Sequence, residues 1–238
     1  MSASSSFFTE TSSVAENALG TIANFRDKTF VYAKAGGTNL ARGKVVVAPT
    51  QVADHEDMSW ATVPSDGDTT VKVTLGGTAA TADYYKGGQL VVQDGTGEGR
   101  SYRVAGNLAA DADSTCTVYL DEAIDTDGAA SETNVDLVAH PLSGVVISAT
   151  DQADMAVGVP VVAITKNYYG WLQVGGPCSV LFDEAVAAGV DVTIGTGVAG
   201  AVEAADAAGE QVLGTVYGSA GVATEYQPVY LKLNDKYI

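Results

Sequence analysis

Asn167-Tyr-Tyr-Gly-Trp-Leu-Gln-Val-Gly-Gly-Pro177 is the stretch on which the fold of this chain turns. Its first part reads as a strand, because successive side chains of an extended backbone point to opposite faces. Alternation puts Tyr169, Trp171 and Gln173 on one face and Tyr168, Leu172 and Val174 toward the other, with Gly170 breaking strict order. A large aromatic next to glycine packs over the bare backbone of a neighbouring strand, so Trp171 is expected to be buried. Gly175-Gly-Pro177 then reads as a turn into further strands.

Strand signals recur on both sides. Downstream lie Gly189-Val-Asp-Val-Thr-Ile-Gly195, Gln211-Val-Leu-Gly-Thr-Val-Tyr217 and Pro228-Val-Tyr-Leu-Lys-Leu233. Upstream, Thr29-Phe-Val-Tyr-Ala-Lys34 stops at Gly36-Gly37, and Gly43-Lys-Val-Val-Val-Ala-Pro49 closes on proline. Thr69–Leu75, Gln89–Gln93, Arg100–Val104, Ser114–Leu120 and Asn134–Val138 follow, then a seam at Leu142–Ser148 and a run over Ala156–Thr165. No long amphipathic helix interrupts this series, and Gly20 weakens a short one over Val14–Ala23. The Ala-rich stretches Phe182–Ala188 and Gly200–Gly209 admit at most a helical turn each. The expectation is an all-β chain of two small β-sandwich or β-barrel domains. An extended N-terminal arm over residues 1–30 would precede a first domain at 31–148 and a C-terminal domain at 149–238. The arm is expected to be mobile until a partner orders it.

Composition agrees. Of the 238 residues 46% are hydrophobic and only 17% charged, so a sizeable core is available. Twenty-seven glycines among abundant Ala, Val and Thr suit twisted sheets joined by tight turns. Twelve Lys and Arg stand against 29 Asp and Glu, for a formal charge of −17, which repels nucleic acid. The charge is uneven: from Glu16 to Ala53 the chain carries Arg26, Lys28, Lys34, Arg42 and Lys44, opposed there only by Glu16 and Asp27. No Lys or Arg occurs from Val104 to Thr165 or from Asn167 to Leu231. That asymmetry suits docking on an acidic partner. Cys116 and Cys178 are far apart, match no metal or redox spacing, and read as small buried hydrophobes. Neither a signal peptide nor an apolar run of about 18 residues is present, so no membrane partner is expected.

Motifs that carry chemistry resolve into structural readings. Asp94-Gly-Thr-Gly-Glu-Gly99 has the glycines of a phosphate cradle, but it leads into a strand and carries two carboxylates. It reads as a hairpin loop. His55 in Asp54-His-Glu-Asp57 has no second cluster of ligands and reads as part of a solvated loop. Asp121-Glu-Ala-Ile-Asp-Thr-Asp127, with Glu132, gives part of a calcium-loop pattern at the wrong spacing. Gly218-Ser-Ala-Gly221 is not a nucleophile elbow, and His55 and His140 are poorly placed for acid–base work. No catalytic, metal-binding or cofactor-binding residue is assigned, and no cofactor is expected.

The aromatics point elsewhere. In Tyr84-Tyr85 and Tyr168-Tyr169 adjacent rings face opposite ways, so one of each pair is available to a partner. Tyr217, Tyr226 and Tyr230 also fall on or at the ends of strands. The candidate interface therefore comprises Arg26, Lys28, Lys34, Arg42, Lys44, Tyr84 and Tyr168.

The Tyr168-Tyr-Gly-Trp171 strand, the Gly-Pro turn and the small-residue β-sequence after it resemble the C-terminal parts of decoration, or cement, proteins of tailed-phage heads. Gly87-Gly-Gln-Leu-Val-Val-Gln-Asp-Gly-Thr-Gly-Glu-Gly-Arg-Ser-Tyr-Arg-Val104 resembles upstream segments of the same kind of protein, so the resemblance spans about two thirds of the chain. It implies a non-catalytic structural protein on the exterior of a virion, made in the host cytoplasm. Such a protein bridges major capsid subunits and associates with itself as a homotrimer. Two other classes stay open: a receptor- or carbohydrate-binding spike or fibre module, and a β-rich polysaccharide hydrolase using two carboxylates.

Overall fold

The computed structural model describes residues 7–129, 134–150 and 152–233. In chain order the strands are β1 (Ile22–Phe25), β2 (Lys28–Ala35), β3 (Val46–Val47), β4 (Met58–Thr62), β5 (Thr70–Thr74), β6 (Gln89–Val92), β7 (Ser101–Asn107) and β8 (Thr115–Leu120). They continue with β9 (Asn134–Val138), β10 (Ser143–Ile147), β11 (Ala156–Pro160), β12 (Tyr169–Leu181), β13 (Asp191–Ile194), β14 (Val202–Ala204), β15 (Gly214–Val216) and β16 (Tyr226–Lys232). Two 3-10 turns, Phe7–Thr9 and Ala53–His55, complete the named elements, so the chain is all-β.

Two compact units form, and they are not divided at residue 148: residues 50–140 make one unit, inserted between the two segments, 1–49 and 141–238, that make the other. The reason lies in strand pairing. β2 bonds antiparallel to β12, with Trp171 opposite Tyr32 and Leu172 opposite Val31, and β10 bonds parallel to β2. N-terminal strands thus find partners beyond the insertion, which no local pattern reveals.

The inserted unit is a closed barrel in the order β4-β5-β8-β7-β6-β9. Alternation is clean: Val71 and Val73 of β5 are buried while Thr70, Lys72 and Thr74 are exposed. Leu90, Val104, Val118, Val135 and Tyr85 fill the interior. The Gly-rich hairpin forms as expected between β6 and β7, with Gly95, Gly97 and Gly99 all at positive φ. β4, with Trp60 buried, is a strand the sequence did not announce, as are β1 and, within the Ala-rich stretch Gly200–Gly209, β14.

The larger unit is built on a sheet ordered β1-β2-β10-β3-β11-β12-β16-β15-β13-β14, with β2 also bonded to β12. The circuit β2-β10-β3-β11-β12 closes on itself, while β16, β15, β13 and β14 extend from β12. Val31, Ala33, Leu172 and Val174 face the main core with Val145, Val157 and Val229. The opposite faces of β2 and β12 carry Phe30, Tyr32 and Trp171, and these are covered by Phe7. Both faces of the pair are therefore dry, so β12 reads as a nearly unbroken buried run.

Gly175-Gly-Pro177 is not a turn. β12 runs through it for 13 residues, with a register shift against β2 between Gln173 and Gly175. Gly176 has φ +80°, and a Cβ there would collide with the Asp27 carbonyl. The Gln173 side chain is fully buried and holds this irregularity. Its Nε2 donates to the carbonyls of Gly175 at 3.0 Å, Gly176 at 3.3 Å and Pro177 at 2.9 Å.

Of the expected N-terminal arm, residues 1–6 lie outside the described residues. Residues 7–30 are built onto the larger unit. The Phe7 ring meets Trp171 edge-on at 5.0 Å and Phe30 at 5.6 Å, Ser12 bridges to Tyr169, and β1 pairs with β2. No helix forms over Val14–Ala23; Gly20 takes φ +83° and β1 begins at Ile22.

Candidate functional site

On the larger unit, β16 lies between β12 and β15, with Pro228 opposite Ser179 and Tyr230 opposite both Pro177 and Thr215. Along β16 the buried residues Val229 and Leu231 alternate with Tyr226, Pro228, Tyr230 and Lys232, which form the outward face. Tyr226 is 49% exposed and Tyr230 48%, and Tyr217, at the end of β15, meets Tyr230 edge-on at 6.4 Å. Three tyrosines on one sheet face is more apolar exposure than scattered surface residues supply.

Two open grooves flank Tyr226. The larger, about 820 Å³, is lined by Ala41, Arg42, Gly43, Val162, Ala163, Ser179 and Tyr226. The smaller, about 290 Å³, is lined by Lys28, Pro177, Cys178, Ser179, Tyr217, Tyr226, Gln227 and Pro228. Gly43 seats the dividing ring. At φ +72° it leaves room that a Cβ would take, 2.7 Å from the Tyr226 ring. The Tyr226 ring therefore lies against bare backbone at Gly43 and remains half exposed.

The candidate residues separate here. Lys28 and Arg42 both line the grooves, and among the described residues neither forms an ion pair. The others are committed or distant from this face. Arg26 occupies the β1–β2 turn at φ +56° with its guanidinium 5.4 Å from the Phe25 ring centre. Lys34 lies 5.5 Å over Tyr169, and Lys44 Nζ donates to the Ala199 carbonyl at 2.9 Å. Tyr168 is exposed next to that Tyr169 contact. Tyr84 belongs to the inserted unit, half-buried edge-on to Tyr85 at 4.9 Å. Ser179, Tyr217, Tyr226, Pro228 and Tyr230 were not assigned to an interface from sequence. The alternation in Tyr226-Gln-Pro-Val-Tyr-Leu-Lys232 was the available signal.

Chemically the face offers hydroxyls, two cations and ring surfaces, and no activated nucleophile. Burial pushes the Cys178 thiol up to about 12, with Lys28 pulling weakly the other way, so the sulfur stays protonated and inert. Cys116 is likewise buried and raised by desolvation.

His55 is not in a solvated loop. It is 1% exposed in the inserted unit, between the Tyr85 hydroxyl and the Thr78 carbonyl. A carbonyl only accepts, so Nε2 is the donor, at 2.8 Å, and Nδ1 is assigned as the acceptor of the Tyr85 hydroxyl. Burial raises the Tyr85 pKa, which keeps that phenol a donor. His140 is lowered by burial and then by the Arg103 charge. The carboxylates of the calcium-like stretch are also engaged. Asp125 pairs with Arg100 and accepts from the Tyr102 hydroxyl at 2.7 Å, Asp121 pairs with Arg103 at 3.3 Å, and Asp127 accepts from the Asp66 amide at 2.7 Å. Glu132 lies outside the described residues. Among the described residues no group of three or more His, Cys, Asp or Glu is arranged to hold a metal ion.

Comparison with protein-family models, with curated proteins and with solved structures finds no match to this chain.

Proposed function

We propose that this chain is a virion structural protein that decorates the outside of a tailed-phage head. It cements the shell by bridging major capsid subunits, associates with itself as a homotrimer, and carries out no catalysis. The observation that carries this reading is the outward face of β12, β16 and β15. Three exposed tyrosines, two open grooves and two cations that form no ion pair among the described residues share one surface. Tyrosines bury large area at small entropic cost, which is the property a docking surface needs. A stable contact buries roughly 1,600 Å² in total, and repeated attachment across a shell multiplies weak contacts. The resemblance of the Tyr168-Tyr-Gly-Trp171 region to decoration proteins supports the same reading.

The test is addition of purified protein to shells of the major capsid protein that lack it. Saturable, stoichiometric binding is expected, with Tyr226→Ala and Tyr230→Ala each weakening it. Absence of binding by the native chain would overturn the reading. One specific observation favours a second reading: Tyr226, half exposed and lining a groove with Ser179 and Arg42, has the elements of a sugar-stacking site. A glycan array with native protein and Tyr226→Ala tests that receptor- or carbohydrate-binding role.

A further inference from the structure

We propose, resting on the decoration reading above, that the two grooves astride Tyr226 receive an extended acidic segment of the shell subunit. Carboxylates four residues apart in that segment are held by Arg42 and Lys28.

Lys28 and Arg42 are the cations that line these grooves. The chain has 12 basic residues against 29 acidic ones, so basic side chains are scarce on it; Lys72, Lys86 and Lys166 also form no ion pair among the described residues, but they line neither groove. Arg100, Arg103 and Lys232 are consumed in ion pairs, Lys44 by a carbonyl, and Arg26 and Lys34 by ring faces. Lys28 and Arg42 line a groove each, and the grooves share Ser179 and Tyr226. Asp27 and Glu225 stand next in the chain to Lys28 and Tyr226, yet among the described residues neither carboxylate pairs with Lys28 or Arg42.

The spacing is set by β12. Lys28 is fixed beside Gly176 and Pro177, where the backbone of Asp27 and Lys28 crowds Gly176. Arg42 is fixed at the other end, because the Leu181 amide donates to the Gly43 carbonyl at 2.9 Å. Pro177 to Leu181 is four strand steps, roughly 13 Å at about 3.3 Å per residue. An extended ligand has the same rise, so its side chains at i and i+4 match the two cations. Those positions share a face with i+2, which falls at the level of Ser179 and Pro228, beside the Tyr226 ring that lines both grooves. The motif is acidic, any, apolar, any, acidic. Ser179 supplies a hydroxyl from the floor between the grooves. Grooves open to solvent suit a strand of peptide better than an enclosed small molecule.

The test uses fluorescein-labelled peptides containing Glu-Thr-Val-Thr-Glu or the isomer Thr-Glu-Val-Glu-Thr, read by fluorescence anisotropy against the full chain. The first is expected to bind about three- to five-fold more tightly, the size of one exposed charge contact. Arg42→Gln and Lys28→Gln should each remove that preference, and Tyr226→Ala should abolish binding. These side chains sit at the surface, and circular dichroism checks that the variants remain folded. Equal binding of the two isomers, or indifference to both cation variants, overturns the proposal. Tighter binding of an oligogalacturonate, an acidic glycan, overturns it in favour of a sugar ligand. The same variants are then added to shells. A double cation variant that decorates as well as the native chain overturns the acidic-segment proposal and leaves decoration standing. A native chain that prefers the first peptide but does not decorate overturns decoration and leaves the groove specificity standing.

Discussion

Trp171→Ala is the sharpest perturbation of the larger unit. The indole is 7% exposed, and its ring centre lies 5.0 Å from Phe7 and 5.1 Å from Tyr32, both edge-on. Removing a buried aromatic of this size costs about 3–5 kcal/mol, of which each ring pair accounts for roughly 0.5–1.5. The loss is placed at the upper end because Phe7 leans on the same ring and, at 8% exposure, has its own burial at stake. For a unit of this size each kcal/mol moves Tm by about 2–4 °C, so a fall of roughly 10–20 °C is expected. Differential scanning calorimetry measures the shift, and amide exchange localises it to 28–35 and 169–176. A double-mutant cycle with Phe7→Ala should give a coupling of about 1 kcal/mol, since the pair is in direct contact. A Tm change under about 2 °C, or native Trp171 fluorescence quenched freely by iodide, would refute the packing argument.

Four further outcomes follow from named contacts. Deleting residues 1–12 uncovers Trp171 and Phe30, so tryptophan emission should shift to the red and the larger unit should melt earlier; unchanged emission would show that Phe7 does not cover the ring. Tyr85→Phe leaves buried His55 Nδ1 without its donor and should cost about 1–3 kcal/mol in urea unfolding, whereas a neutral result would count against the assigned tautomer. Gly176→Ala forces a side chain into the Asp27 carbonyl at positive φ and should destabilise by more than about 1 kcal/mol; a stable variant would contradict the assigned backbone. Asp191 is held below its ordinary carboxylate value chiefly by the Thr215 hydroxyl, at 2.5 Å, with Lys232 adding to it. Because the folded pKa is the lower one, its stabilisation is complete above about pH 4 and is lost as pH falls through the folded value. Asp191→Ala should flatten that part of the acid-unfolding curve, and an unaltered curve would remove Asp191 from it.

Local signals were read from the chain well where neighbours did not matter. The strands over Thr70–Thr74, Gln89–Val92, Thr115–Leu120 and Asn134–Val138 show period-two burial against a single core, and the glycines of 95–99 demand a turn in any context. Burial of Trp171 and of both cysteines was likewise legible, since little but a core suits those residues in β-branched surroundings. His55 was not: its short polar neighbourhood, Asp54-His-Glu-Asp57, resembles any solvated loop, and Tyr85 and Thr78 come to it only through the barrel.

By itself the sequence determined that this chain is all-β, low in charge, acidic, and punctuated by glycine. Period-two hydrophobicity and turn chemistry are properties of neighbouring residues, and those properties survive without a fold. Only the tertiary structure decided that residues 50–140 interrupt one unit rather than precede another, because β2 must cross that insertion in sequence to pair with β12. It also decided that Gly175-Gly-Pro177 continues a strand, since the buried Gln173 amide satisfies the carbonyls that a free chain would have turned toward water. And it brought Lys28 and Arg42, from the N-terminal segment, to one face with Tyr226, from the far side of the insertion in sequence. Strand registry is a long-range property, fixed by which cores can close, and no window of the sequence contains it.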